Sequence, residues 1–185
     1  MTELVSPGQL RASFLRWALV FVPGVIMLGY LSNVGSGGGA SNAWFTDLAK
    51  PDLYPSSTTY MVVWTGLYAL MAMAAVLVVT ARGASGRAAA IGAFAVQLVL
   101  ILAWSPVFFG MHRIQTALFL LFAIDAAVLV TVLLFRRVRP VAAALMLPCL
   151  AWLLFSTVLN WQLLNANRDA DAKVGGGAAA TVNFN

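Results

Sequence analysis

The stretch from Lys50 to Tyr68, KPDLYPSSTTYMVVWTGLY, passes from a polar loop with two prolines into a long apolar run. Tyr60, Trp64 and Tyr68 recur every four residues in that run. On an α-helix this spacing places the three rings on one face. The stretch therefore predicts a helix with an aromatic wall, and the remaining sequence indicates what surrounds that wall.

The composition is that of a membrane protein. Of the 185 residues, 62% are hydrophobic and 9% are charged, whereas about a quarter of a soluble domain is charged. Apolar runs of about 20 residues can cross the bilayer as helices, which satisfy their own backbone hydrogen bonds. We predict five spans, over residues 13–33, 58–81, 88–109, 115–135 and 140–165.

The fold class predicted is an all-α integral membrane protein, a bundle of five transmembrane helices. We expect residues 1–168 to form this single domain and residues 169–185 to form a Gly/Ala-rich tail. The first span is followed by Gly- and Ser-rich sequence and lacks a small-residue cleavage site. We therefore expect it to remain in the mature protein.

The distribution of basic residues predicts the orientation. The formal net charge is +5, and seven arginines flank the first span or lie in the second and fourth loops: Arg11, Arg16, Arg82, Arg87, Arg136, Arg137 and Arg139. With five spans all seven fall on one side, which the positive-inside rule makes cytoplasmic. We expect a bacterial inner-membrane protein with a cytoplasmic N-terminus, a periplasmic C-terminus, membrane lipids as neighbours and no nucleic-acid partner.

Signals for metal or nucleophilic chemistry are weak. Cys149 and His112 are the only residues of their kinds, so neither has a partner at ligand spacing. The glycine-rich segment at 35–39 follows a span rather than a strand, which favours a flexible connector over a phosphate loop. We expect no metal, no obligatory cofactor and no enzyme of a familiar class.

Two further spans carry polar and aromatic side chains at helical spacing. The candidates are Gln97, Trp104 and Phe108 on the third span, and Trp152, Ser156 and Asn160 on the fifth. Tryptophans near span ends usually form interfacial belts. Trp64, Trp104 and Trp152 lie deeper, where helix packing and pocket lining are both open interpretations.

Asp125 lies near the middle of the fourth span. An ionised carboxylate there costs about 2.5–3.5 kcal/mol, which predicts that the side chain faces the bundle interior. The nearest cation in sequence, Arg113, is twelve residues away, about 18 Å along a helix. We predict a protonated Asp125 that hydrogen-bonds a group on another helix, with a structural role first and a ligand or proton-handling role second.

Small residues at the start of the third span predict a close helix contact. Ala88 and Gly92, and Ala89 and Ala93, form pairs of the kind that let helix backbones approach in lipid. Contact with a second copy and packing within one chain are both open. We expect a homodimer unless a larger complex replaces it.

Five motifs occur in order along the chain: WFTDLAKP (44–51), WTGLY (64–68), WSPVFFGMHR (104–113), Pro148 with Trp152, and LNWQLLNAN (159–167). In order and spacing these motifs resemble the TspO/translocator-protein family, whose members are also called tryptophan-rich sensory proteins or peripheral benzodiazepine receptors. The resemblance covers about residues 14–168.

The resemblance implies a usually dimeric five-helix bundle with a pocket beneath the first loop for porphyrins, sterols or benzodiazepine-type ligands. By position, Trp64, Trp104, Phe108 and Trp152 correspond to the family's pocket wall, and Ser156 lies one turn further along.

The chain also departs from the family pattern. Ser56 and Thr58 stand where many members have a proline and an aromatic, Ile101 stands where many have Asn, and Trp161 replaces a Tyr of the sterol motif. Of the ligands that the resemblance implies, sterols are therefore the least supported.

Two functional hypotheses follow. The first is a protein that binds a porphyrin-like or other flat apolar ligand and acts in sensing, transport or regulation of tetrapyrrole and pigment physiology, with slow light-assisted porphyrin degradation left open. A carotenoid or a lipid is an alternative ligand to the porphyrin. The second is an accessory subunit of a larger bacterial membrane complex, such as a photosynthetic reaction-centre and light-harvesting assembly. The predicted ligand-binding residues are Tyr60, Trp64, Tyr68, Gln97, Trp104, Phe108, Asp125, Trp152, Ser156 and Asn160.

Overall fold

The computed structural model describes residues 7–39 and 41–168 as a helical bundle. Five of its helices are long and apolar enough to cross a membrane, which confirms the predicted fold class. The predicted tail at 169–185 lies outside the described residues. The helices are α1 (Pro7–Gly35), α2 (Ala43–Asp47), α3 (Ser57–Val79), α4 (Arg87–Ser105), α5 (Ile114–Val138) and α6 (Pro140–Ala166).

The helix α2 was not anticipated from the sequence. It covers AWFTD within a segment that we expected to be an irregular loop. Five residues are too few to show the hydrophobic periodicity of a helix, so the sequence pattern does not predict α2. Its start is fixed locally, because the backbone N–H of Phe45 donates to Oδ1 of Asn42 at 2.9 Å.

The core runs the length of the bundle between α3, α4, α5 and α6. Met71, Val128, Met146 and Leu153 are almost fully buried at its centre. Helix α1 packs mainly against α3, and among its described side chains Val25 is the one buried apolar residue. The first helix is therefore the least embedded wall of the bundle.

Polar side chains within the spans link helices to one another. Asp125 of α5 accepts a hydrogen bond from the Thr157 hydroxyl of α6 at 2.8 Å, which confirms the predicted link between helices. On the opposite side, the Ser32 hydroxyl of α1 donates to the Leu102 carbonyl of α4 at 2.5 Å. Since lipid offers no hydrogen bonds, such groups stabilise the bundle only when they meet inside it.

The C-terminal end of α4 widens into one π-helical turn over Pro106–Gly110. Pro106 has no backbone N–H, and the Met111 N–H donates to the Pro106 carbonyl, five residues back, at 2.9 Å. The wider turn places two successive rings, Phe108 and Phe109, in the protein interior. It thereby adds aromatic surface at the end of the bundle where α2 lies.

Helix α1 approaches α3 closely at one glycine. Gly29 is buried, and a Cβ atom built on it would lie well inside contact distance of the Tyr68 ring. The ring of Tyr68 therefore fills the space that any other residue at position 29 would need. This contact fixes the separation of α1 from the aromatic face of α3.

We predict that Gly29→Ala displaces the Tyr68 ring and lowers the unfolding free energy by about 1–3 kcal/mol, the usual cost of overpacking. Gly24→Ala is the matched control on the same helix, since a Cβ there meets no atom within 4 Å. The control should stay within about 1 kcal/mol of wild type. Thermal unfolding in one detergent measures both variants, and equal stabilities would contradict the close contact.

Candidate ligand cavity

A cavity of about 480 Å³ lies inside the bundle, with side chains from all five spans and α2 in its wall. Its volume falls within the roughly 300–1,000 Å³ that is usual for small-molecule sites. Among the described residues that line it, none carries a charged side chain. The space is suited to an apolar molecule with few polar groups.

The aromatic face of α3 forms one wall. Tyr60, Trp64 and Tyr68 all line the cavity, as their four-residue spacing predicts for one helix face. The rings of Trp64 and Tyr68 are in contact, with centroids 5.3 Å apart. Ser56 caps the helix by accepting from the Thr59 N–H at 3.1 Å, which fixes where α3 begins.

The facing wall comes from α4, its π-helical turn and α6. Trp104 and Phe109 present rings to the cavity, and Leu153 and Ser156 contribute from α6. Trp104 is held by Phe108, whose ring stacks on it with centroids 4.8 Å apart and planes 13° apart. Aromatic rings thus lie on two sides of the cavity, an arrangement suited to a flat ligand.

Helix α1 supplies a polar strip to the cavity. Ser32 and Asn33 line it together with Ser105 of α4, and the Asn33 amide donates to the Ser105 hydroxyl at 3.3 Å. Tyr30 and Met61 line the cavity where α1 meets α3, and both are more than 60% exposed on the outer surface. In the bilayer, this part of the wall faces lipid.

The segment around α2 forms a lid over one end of the cavity. Phe45 is buried beneath α2, lines the cavity and packs edge-on against Phe109 with centroids 5.4 Å apart. The Lys50 ammonium donates to the carbonyls of Phe45 and Thr46 at 2.8 and 3.2 Å, which holds the C-terminal end of α2. The lid is therefore an ordered part of the site.

Asn167 at the end of α6 fastens the lid to the bundle. Its amide makes two hydrogen bonds of 2.9 Å with the backbone of Ala49, one accepting from the N–H and one donating to the carbonyl. Trp44 adds a second attachment by stacking on His112, with centroids 4.6 Å apart. Tryptophans near span ends usually form interfacial belts, and Trp44 in addition packs the lid against the connection between α4 and α5.

Tyr54 lies in the segment that joins the lid to α3. Its ring stacks on Tyr60 with centroids 5.8 Å apart and lines the cavity. Burial raises the pKa of the Tyr54 hydroxyl above its usual value, and the neighbouring Tyr60 raises this pKa further. The hydroxyl therefore stays protonated at neutral pH and can serve as a hydrogen-bond donor.

A small side chamber adjoins the main cavity. It lies among Tyr54, Tyr60, Trp104 and Ser156, which line both spaces, and it is closed by Phe108, Leu159, Asn160 and Leu163. Of the predicted ligand-binding residues, Tyr60, Trp64, Tyr68, Trp104 and Ser156 line the main cavity, while Phe108 and Asn160 line only the side chamber.

Three predicted site residues lie outside both walls. Gln97 is fully buried in the core, where its amide donates to the Met71 sulfur at 3.7 Å. Asp125 is engaged by Thr157, and Trp152 packs edge-on behind Tyr60 with centroids 5.5 Å apart. Each has another partner within the bundle, and their role as direct ligand contacts stays a prediction.

Tyr30, Asn33 and Tyr54 line the cavity but are not among the residues predicted from the sequence. Asn33 carried a signal, since it is an amide near the end of an apolar span, and Tyr54 lies within the opening stretch next to Pro55. Tyr30 carries none, because tyrosines at span ends are common membrane anchors. No group of three His, Cys, Asp or Glu side chains in the described part of the chain is placed to hold a metal ion.

Comparison with known proteins agrees with this architecture. The model of the TspO/MBR family matches residues 18–165. The tryptophan-rich sensory protein of Cereibacter sphaeroides is 36% identical over 124 residues, 67% of this chain and 77% of that protein. The human translocator protein is 36% identical over 64% of this chain and 71% of its own length. Protein CrtK of Rhodobacter capsulatus is 29% identical over 68% of this chain and 79% of its own.

We predict that Asn167→Ala loosens the lid. Removing both hydrogen bonds to Ala49 should speed amide exchange at Phe45 and Ala49 by about tenfold. Asn165→Ala is the matched control, because Asn165 is exposed in the same turn and contacts Arg168 instead of the lid. Hydrogen exchange read by mass spectrometry checks this, and unchanged exchange at Phe45 would show that Asn167 does not hold the lid.

Proposed function

The chain belongs to the TspO/MBR family, and from this we propose that it binds a flat, apolar, porphyrin-like ligand between α3 and α4 and takes part in sensing, transport or regulation of tetrapyrroles. The observation that carries the proposal is the uncharged cavity with aromatic rings on two sides. Rings on both sides can stack on a planar macrocycle, and tryptophan N–H groups can hydrogen-bond its substituents. The names of the relatives, tryptophan-rich sensory protein and translocator protein, name no reaction.

The departures from the family pattern support an apolar ligand in particular. Ile101 lines the cavity at the position where many members carry Asn. This substitution removes a polar contact from the wall facing α3. An elongated carotenoid or a lipid chain would contact the same surface. The affinities of these ligands relative to a porphyrin, measured by competition, distinguish between them.

We also propose the bacterial inner membrane as the location, with the N-terminus in the cytoplasm. The arginine-rich ends of the spans support this orientation. Arg87 additionally caps α3, since its guanidinium donates to the Val79 carbonyl at 2.7 Å. Thiol labelling of cysteines introduced into the 80–86 loop shows on which side of the membrane this loop lies, and we expect the cytoplasmic side.

The homodimer stays a prediction. Ala88, Ala89 and Gly92 are exposed along α4 and Ala93 is half-buried. A Cβ on Gly92 meets no atom of the described residues within 4 Å, so no described side chain packs against this position. The alternative function as a subunit of a larger complex would use the same face for a partner helix.

We predict that a porphyrin quenches tryptophan fluorescence and that Trp64→Leu with Trp104→Leu weakens its affinity at least about tenfold, since two stacking surfaces are lost. Trp152→Leu should have a smaller effect, because this ring lies behind Tyr60. Trp161→Leu is the control, since Trp161 is 55% exposed on the outer surface. Equal affinities of the double variant and wild type, both folded, would refute the cavity as the binding site.

For assembly, we predict that Gly92→Leu converts a detergent-solubilised dimer to a monomer, because the larger side chain separates the helix backbones. Val130→Leu is the control, at an exposed position on α5 that lies outside the small-residue pairs. Analytical ultracentrifugation reports the mass. A dimer that survives Gly92→Leu would place the interface elsewhere, and partner chains that co-purify from native membranes would favour the subunit hypothesis.

A further inference from the structure

The side chamber next to the aromatic cavity has the size of one water molecule. Its volume is about 10 Å³, close to the roughly 10–15 Å³ that a single bound water requires. Four of its lining residues also line the main cavity, so only their side chains separate the two spaces. The chamber can therefore hold one non-hydrogen atom that arrives from solvent or from a ligand in the cavity.

The chamber is lined by buried polar atoms that no group among residues 7–39 and 41–168 satisfies. Asn160 is 4% exposed, and neither its amide nitrogen nor its amide oxygen has a partner among these residues. The indole N–H of Trp104, another lining residue, is also buried and unpaired. Buried polar groups in proteins are nearly always hydrogen-bonded, because leaving them unpaired costs free energy. These two residues thus form a polar pair within an aromatic region.

The other polar side chains of the chamber lie against protein groups. The Ser156 hydroxyl donates to the Trp152 carbonyl at 2.8 Å, and the rings of Tyr54 and Tyr60 stack on each other with centroids 5.8 Å apart. The buried lining atoms without a partner in the described part of the chain are two donor groups, the Trp104 N–H and the Asn160 NH₂, and one acceptor, the Asn160 oxygen.

We propose that the side chamber binds one O–H oxygen between Trp104 and Asn160. Such an oxygen accepts from both donors and donates to the amide oxygen, so it satisfies all three groups. A carbonyl oxygen has no hydrogen for the amide oxygen, and a carboxylate would bring a charge into a chamber with no cation among its described lining residues. The O–H group comes either from water or from a hydroxyl substituent of the bound ligand.

The first arm of the test uses the ligand-free protein in nanodiscs. A water in the chamber gives nuclear Overhauser cross-peaks between water and both the Trp104 indole N–H and the Asn160 amide. Asn160→Leu should abolish the Trp104 cross-peak, and Asn165→Leu, an exposed position on the same helix, should leave it unchanged. If Asn160→Leu does not fold, Trp104→Phe keeps an aromatic side chain, removes the indole N–H and should weaken the Asn160 cross-peak.

The second arm rests on the proposed function and uses two porphyrins that differ in hydroxyl groups. Haematoporphyrin carries hydroxyethyl groups where mesoporphyrin carries ethyl groups. A ligand hydroxyl in the chamber predicts that wild type prefers haematoporphyrin by about fivefold, the value of one hydrogen bond, and that Asn160→Leu removes the preference. Trp104→Phe should remove it as well.

The outcomes separate the two sources of the oxygen. A water cross-peak or an Asn160-dependent hydroxyl preference supports the site and identifies the source. Neither signal in a folded wild-type protein overturns the proposal. If neither porphyrin binds, the proposed function fails, while the first arm still decides whether the chamber binds an O–H oxygen.

Discussion

The bilayer offers no hydrogen bonds, and this constraint organises the rest of the structure. Each span must be helical to satisfy its own backbone, and each polar side chain within a span must find a partner inside the bundle. Asp125 and Thr157 join α5 to α6 in this way, and Ser32 joins α1 to the Leu102 carbonyl of α4. Asn160 and Trp104 are among the residues with buried polar atoms that lack a partner in the described part of the chain, and both line a small chamber beside the cavity.

The same helices that satisfy the backbone also position the aromatic rings. A spacing of four residues brings Tyr60, Trp64 and Tyr68 to one face of α3, and Gly29 lets α1 lie against that face. Opposite them, the π-helical turn after α4 brings Phe108 behind Trp104. A cavity persists between these walls because bulky rings, braced from behind, cannot collapse onto one another as aliphatic side chains do.

Features with a regular period could be predicted from the sequence, and features that depend on single contacts could not. The five spans, the face of α3 and the partner of Asp125 on another helix follow from hydrophobic runs, spacing and the cost of a buried carboxyl. Helix α2, the clamp of Asn167 on Ala49 and the place of Gln97 in the core depend on which helices are neighbours. Trp152 is the clearest example of what spacing does not predict. Its depth within the span is that expected of a cavity-lining residue, yet its ring packs behind Tyr60.

In the proposed function, a planar ligand occupies the cavity between α3 and Trp104. The decisive measurement is an experimentally determined structure of the protein with a bound porphyrin. We expect density for the macrocycle in contact with the rings of Trp64 and Trp104, beneath Phe45 of the lid. Porphyrin density confined to the lipid-facing surface, with the cavity filled by protein side chains, would contradict it.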